Sequence, residues 1–141
     1  MDGDEDLFIF DNQGNSNLCF ENISATENGN QYRFNENWSQ RFPMMTNWVQ
    51  VQDYNCDGIM DILTYEEMEG NIRRFRGQIG IDNLLEFDLE ADFLNANING
   101  ITTPLTVNQF DRPHFKDIDF DGDIDVLVFN EYDQVLSLIH I

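Results

Sequence analysis

The chain has 141 residues, enough for one domain. Its 27 Asp and Glu against 7 Lys and Arg give a net charge of −20, which excludes a phosphate backbone or an anionic membrane face as the natural partner. A composition 41% hydrophobic, with 12 Phe, is too apolar for a disordered acidic chain.

The opening Met1-Asp2-Gly3-Asp4-Glu5-Asp6 has neither a basic n-region nor an apolar h-region, so it does not read as a signal peptide, and no run of 18 apolar residues suggests a membrane-spanning helix. Leu7-Phe8-Ile9-Phe10 is a strand, followed by the turn cluster Asn12–Ser16 and a second strand around Leu18-Cys19-Phe20. Trp48-Val49-Gln50-Val51-Gln52 alternates with period two and is again a strand. An acidic loop follows at Asp53–Asp61, then the apolar run Ile62–Tyr65, a turn at Glu67–Asn71 and a strand from Ile72. Leu84–Leu89 reads as an outer strand, with a poorly capped helix through Phe93 as the competing reading. Asn95 to Asn108 is Asn- and Thr-rich, contains Gly100 and Pro104, and reads as a long loop. A second acidic loop, Asp117–Asp125, leads into Val126-Leu127-Val128-Phe129. The final Leu136–Ile141 is either an ordinary apolar strand or the translation of CTG-TCT-CTT-ATA-CAC-ATC, the end of a transposon-based sequencing adapter.

The two acidic loops are copies of one pattern, D-x-[DN]-x-D-G-x-x-D followed by an apolar run. A partial third copy starts the chain, with Asp2, Gly3 and Asp6 at the fifth, sixth and ninth positions. The copies are spaced by 55 and then 64 residues.

Alternating oxygen side chains in a tight loop converge on a hard cation, and Ca²⁺ takes six to eight oxygens at ~2.3–2.6 Å. In the first complete loop the expected ligands are Asp53, Asn55, Asp57, the backbone of Ile59, and Asp61. In the second they are Asp117, Asp119, Asp121, the backbone of Asp123, and Asp125. Asp2 and Asp6 belong to the partial site. Without a cation, so many carboxylates at close range repel one another. An EF-hand is excluded, because its twelfth position needs Glu and holds Thr64 or Val128 here, and because strands flank the loop. Metal-free acidic turns are the competing reading.

Pro113-His114-Phe115-Lys116-Asp117-Ile118-Asp119-Phe120-Asp121-Gly122-Asp123-Ile124-Asp125-Val126-Leu127-Val128 resembles the FG-GAP/VCBS-type repeat along its whole length. The loop at Asp53 is close to it, with Asn55 and Cys56 at the third and fourth positions. The resemblance implies an all-β fold, a partial β-propeller of about two four-stranded antiparallel blades, with a calcium loop joining the first two strands of each blade. On that reading residues 1–43 are the remainder of a first blade, 44–111 a complete blade with its connection, and 112–141 the start of a third. Blades cannot bury their faces alone, so the chain reads as an excerpt of a longer protein. The implied function is a non-catalytic, calcium-stabilised module of a secreted or cell-surface protein, serving adhesion or ligand binding, with a protein or carbohydrate ligand and the neighbouring blades of the same parent chain as its partners. The alternative is the scaffold of a secreted polysaccharide-degrading enzyme whose catalytic residues lie elsewhere.

Little else in the sequence suggests chemistry. His114 reads as a strand-face histidine, and Glu66, Glu67 and Glu69 as a solvated turn rather than acid/base groups. Arg73, Arg74 and Arg76 are expected to pair with surrounding acids. Trp48 is expected between blades and Trp38, in a polar stretch, at an exposed contact. Cys56 falls at a non-ligand position of its loop, and whether it pairs with Cys19 is open.

Overall fold

Short runs of β-branched and aromatic residues, punctuated by Asn, Asp and Gly, fold into antiparallel strands. A computed structural model describes residues 5–11, 16–24, 31–98, 100–122, 124–129 and 135–139. The strands are β1 (Leu7–Phe10), β2 (Asn17–Asn22), β3 (Tyr32–Phe34), β4 (Val49–Gln52), β5 (Asp61–Tyr65), β6 (Ile72–Ile79), β7 (Leu85–Leu89), β8 (Asn95–Ile98), β9 (Ile101–Pro104), β10 (Arg112–Lys116), β11 (Asp125–Phe129) and β12 (Val135–Ile139). One short helix, α1 (Glu36–Ser39), is capped by the Asn35 side chain, which accepts the Trp38 N–H.

These strands form sheets in the orders β1-β2-β3, β4-β5-β6-β7 and β10-β11-β12, with β8-β9 a separate hairpin. Among the described residues the sheets do not close on one another. The outer strand expected at Leu84–Leu89 is β7, not a helix. The long loop expected at 95–108 is wrong in part. Asn95–Ile98 and Ile101–Pro104 pair as a hairpin turned at Gly100, where φ is 84°. Its base is bolted to the turn before β6 through the Asn71–Thr106 bridge and the Val107 N–H to Gly70 carbonyl bond. Period-two strand content was hidden there because both strands are short and polar.

The pairing registers repeat. Leu7 faces Phe20 and Phe20 faces Phe34; 55 residues later Ile62 faces Phe75 and Phe75 faces Leu89. Val51 faces Ile62 and Ile62 faces Phe75; 64 residues later Phe115 faces Val126 and Val126 faces Ile139. A shift between Val128 and Phe129 interrupts the last ladder. The extra length of the second interval falls between β7 and β10, where the β8-β9 hairpin replaces α1.

The sheets stack face to face. Ile62 and Leu63 are consecutive on β5, so their side chains leave opposite faces, and they are 0% and 1% exposed. Ile62, with Phe75 and Met45, packs toward Phe8, Phe10 and Phe42 on the side of the first sheet. Leu63, with Ile72, packs with Phe115, Val126 and Val128 of the third. Each connection supplies filler. Phe42 stacks on Phe8 at 4.3 Å and tilts against Phe87 at 4.9 Å. Leu94, Ala96, Leu105 and Val107 around the hairpin fill the other seam. Burying these side chains contributes roughly 1.5–3 kcal/mol each.

Candidate metal centre

Each acidic loop joins the first two strands of a ladder, β4 to β5 and β10 to β11. The two have the same backbone shape. The fourth position is left-handed in both, at Cys56 (φ 59°) and Phe120 (φ 63°), and so is the sixth, at Gly58 (φ 86°) and Gly122 (φ 100°). Glycine takes that conformation freely, whereas a non-glycine residue there costs on the order of 1–3 kcal/mol.

The hydrogen bonds correspond as well. The sixth-position N–H donates to the first-position carboxylate, Gly58 to Asp53 at 2.8 Å and Gly122 to Asp117 at 3.2 Å. The fifth-position N–H donates to the third-position side chain, Asp57 to Asn55 at 2.9 Å and Asp121 to Asp119 at 3.3 Å. The second-position N–H donates to the ninth-position carboxylate, Tyr54 to Asp61 at 3.2 Å and Ile118 to Asp125 at 2.9 Å. Asp61 and Asp125 are both buried.

The carboxylates differ in how closely they gather. Oxygens of Asp117, Asp119 and Asp125 lie within 4.8 Å of one another. Among the described residues, the acids of the first loop form no such triad. There Asp57 accepts from the Ile59 N–H at 2.9 Å and from Arg76 at 3.2 Å. The Ile59 bond, with Arg76 and Asn55 assisting, holds the Asp57 carboxyl below the usual carboxylate range. Burial pushes Asp61 the other way, and the charges of Asp57 and Asp53 add to the rise, while N–H bonds from Gly77 and Tyr54 oppose it. Asp121 stands on the exposed side of its loop. Asp2 and Asp123 lie outside the described residues.

The partial site also leaves a trace. Asp6 Oδ1 accepts the Asn22 N–H at 2.9 Å, sixteen residues on, as Asp61 Oδ1 accepts the Gly77 N–H at 2.7 Å over the same separation. Sequence reasoning missed this clamp, although the shared spacing was there to be compared.

The donor set fits a hard divalent cation. It is all oxygen. Asp117 Oδ1 is buried and, among the described residues, has no hydrogen-bond partner. Such an atom is costly to bury unless something positive meets it.

The remaining residues are accounted for by structure. Glu66 is buried rather than solvated, and its carboxylate caps the turn by accepting the Met68 and Glu69 N–H groups. Glu67 and Glu69 are exposed. Arg73, Arg74 and Arg76 pair with Glu66, Glu90 and Asp57. Tyr54 donates its hydroxyl to Glu90 and lies under the Arg74 guanidinium, 5.4 Å from ring centre. Trp48 packs in the seam between sheets, Trp38 is half-buried in α1, and His114 is exposed on β10. Cys19 and Cys56 are free thiols.

No family model, curated protein or solved structure matches the chain.

Proposed function

We propose that the chain is a calcium-stabilised repeat module of a β-propeller, non-catalytic, from a secreted or cell-surface protein that binds a protein or carbohydrate ligand. The observation that carries this reading is the shared geometry of the two acidic loops, together with the buried, unpartnered Asp117 Oδ1. Asp117, Asp119 and Asp125 hold the ion in the second loop; Asp53, Asn55, Asp57 and Asp61 hold it in the first. The ion neutralises the gathered carboxylates and fixes the turn, so that its binding energy becomes folding energy. Stacked sheets with repeating registers support the propeller part of the reading. Extracellular calcium modules work at ~10⁻⁴–10⁻³ M, which suits an exterior setting. No helix among the described residues is long and apolar enough to cross a membrane.

The test is thermal unfolding with calcium and with chelator. Calcium at a hundredfold excess over its Kd adds about 2.7 kcal/mol per site, read as a melting temperature several degrees higher. Identical melting in calcium and chelator overturns the reading.

A further inference from the structure

The seam between the middle and third sheets is short of hydrogen-bond acceptors. Among the described residues, the buried side-chain donors without a partner are Trp48 Nε1, Gln52 Nε2 and Arg74 Nε. All three lie on one side of the middle sheet. Arg74 stands opposite Leu63 in the ladder, and Gln52 opposite Asp61, two residues before Leu63, so both share the Leu63 face. Trp48 packs against the Leu63 cluster. The opposite face, around Ile62 and Phe75, carries no such donor among the described residues.

A cleft of about 390 Å³ opens in the same seam, within the ~300–1,000 Å³ of small-molecule sites. Leu63, Leu94 and Phe115, all buried, give it an apolar floor. Tyr54 and Arg74 form a wall, with the Arg74 guanidinium over the Tyr54 ring. Cys56 and Gly122, exposed residues of the two acidic loops, line it toward solvent.

Charge decides what fits. Arg74 Nη2 is committed to the Glu90 carboxylate at 2.9 Å and to the Asp92 carbonyl at 3.4 Å, and the Tyr54 hydroxyl donates to Glu90. The Arg74 Nε–H is the donor left over in the wall, and a buried N–H of a charged group is costly without an acceptor. Arg74 repels a cation. An anion meets Glu90, which already balances Arg74, in a chain of net charge −20. The cleft therefore suits a neutral group with a carbonyl oxygen and a small apolar end.

We propose that the cleft receives the acetamido group of a neutral N-acetylated sugar. Its carbonyl oxygen accepts the Arg74 Nε–H, and its methyl lies on Leu63, Leu94 and Phe115. The sugar ring stays at the mouth, beside Cys56 and Gly122. This rests on the reading of the chain as a ligand-binding module and narrows its carbohydrate ligand to one class.

Nuclear magnetic resonance of the ¹⁵N-labelled chain in calcium tests this, because an arginine Nε–H gives its own signal. The Arg74 signal is identified by its loss in Arg74→Lys, which keeps the charge opposite Glu90. N-acetylglucosamine is expected to shift the Arg74 Nε–H signal saturably, and glucose, which lacks the acetamido group, to leave it in place. Arg74→Lys is expected to weaken binding about tenfold, as loss of a charged donor does, read from the Cys56 and Gly122 amides. An unmoved Arg74 signal, an equal shift with glucose, or unchanged affinity in the variant overturns the inference. The two sugars decide it on the wild-type chain, whatever the variant does to folding. Melting the same samples in calcium and in chelator reads the metal proposal separately, so an empty cleft in a calcium-stabilised chain overturns this inference alone.

Discussion

The Asp61 carboxylate is clamped by the backbone N–H of Gly77, 2.7 Å away in a buried position. The last acid of the loop is thereby fixed to β6, not only to its own turn. A Cβ at residue 77 would stand 2.1 Å from the Met60 carbonyl oxygen, so the crossing requires glycine. Gly77→Ala should destabilise the fold by about 1–3 kcal/mol, the usual cost of overpacking, measured by urea unfolding. A midpoint equal to wild type would mean that β6 and the loop exit are not locked together.

The loops should act as separate cages. Tyr54 occupies the second position of the first loop and should sensitise terbium luminescence there. Asp57→Ala removes a proposed ligand and the Arg76 contact. Its Tyr54-sensitised emission should fall severalfold, while calorimetry still detects metal binding at the Asp117 loop. Loss of both sites together would show that the loops share one ion.

Phe120 is 86% exposed and held at φ 63°. Asparagine tolerates that conformation far better. Phe120→Asn should raise stability by about 1 kcal/mol, read as a higher denaturant midpoint. A fall in the midpoint would mean that the ring makes a contact worth more than the strain.

Alkali should unfold the protein through one buried and one half-buried acid. Burial pushes the Cys19 thiol from 9.0 up to about 11, against the Ser39 hydrogen bond and with help from the Asp6 charge. Burial and the Glu90 bond raise Tyr54 above its ordinary 10.0. In each case the folded state keeps its proton longer than the unfolded chain does. The Cys19 contribution is whole below pH 9 and disappears between pH 9 and 11, as only the unfolded thiol ionises. Stability measured at stepwise higher pH should decline over that window, and Cys19→Ala should flatten the decline. An unchanged slope in the variant would clear Cys19 of the effect.

The two cysteines should also differ in reactivity. Cys56 is exposed and Cys19 buried. A thiol reagent at neutral pH should label Cys56 quickly and reach Cys19 only on unfolding. Equal labelling by mass spectrometry would show that the β1-β2-β3 sheet opens readily.

Much of this was legible in the sequence because it rests on local rules. Period-two alternation marked β4, and the clustered turn residues before Ile72 marked the β5-β6 hairpin. The D-x-[DN]-x-D-G-x-x-D pattern marked both loops, and the β-branched and aromatic runs beside them placed them between strands. What escaped was long-range. Gly77 looks like any glycine until Met60 is brought against it. Glu66 looks solvated until the turn folds over its carboxylate. Residues 95–108 look like a loop because their strands are short and polar, and only the folded chain shows Leu94, Ala96, Leu105 and Val107 buried against the sheets on either side. No composition rule announced that Asp57 would turn toward Arg76 while Asp117, Asp119 and Asp125 drew together.

The differing connections carry their own consequence. Phe42 and Met45, after α1, wedge one seam, and Leu94 and Leu105 beside the β8-β9 hairpin wedge the other, while the rungs on either side correspond up to the shift at Val128 and Phe129. Length variation in this architecture is thus absorbed by interchangeable shims. A spacer of one length and shape can stand where another stands, between sheets whose corresponding rungs still match.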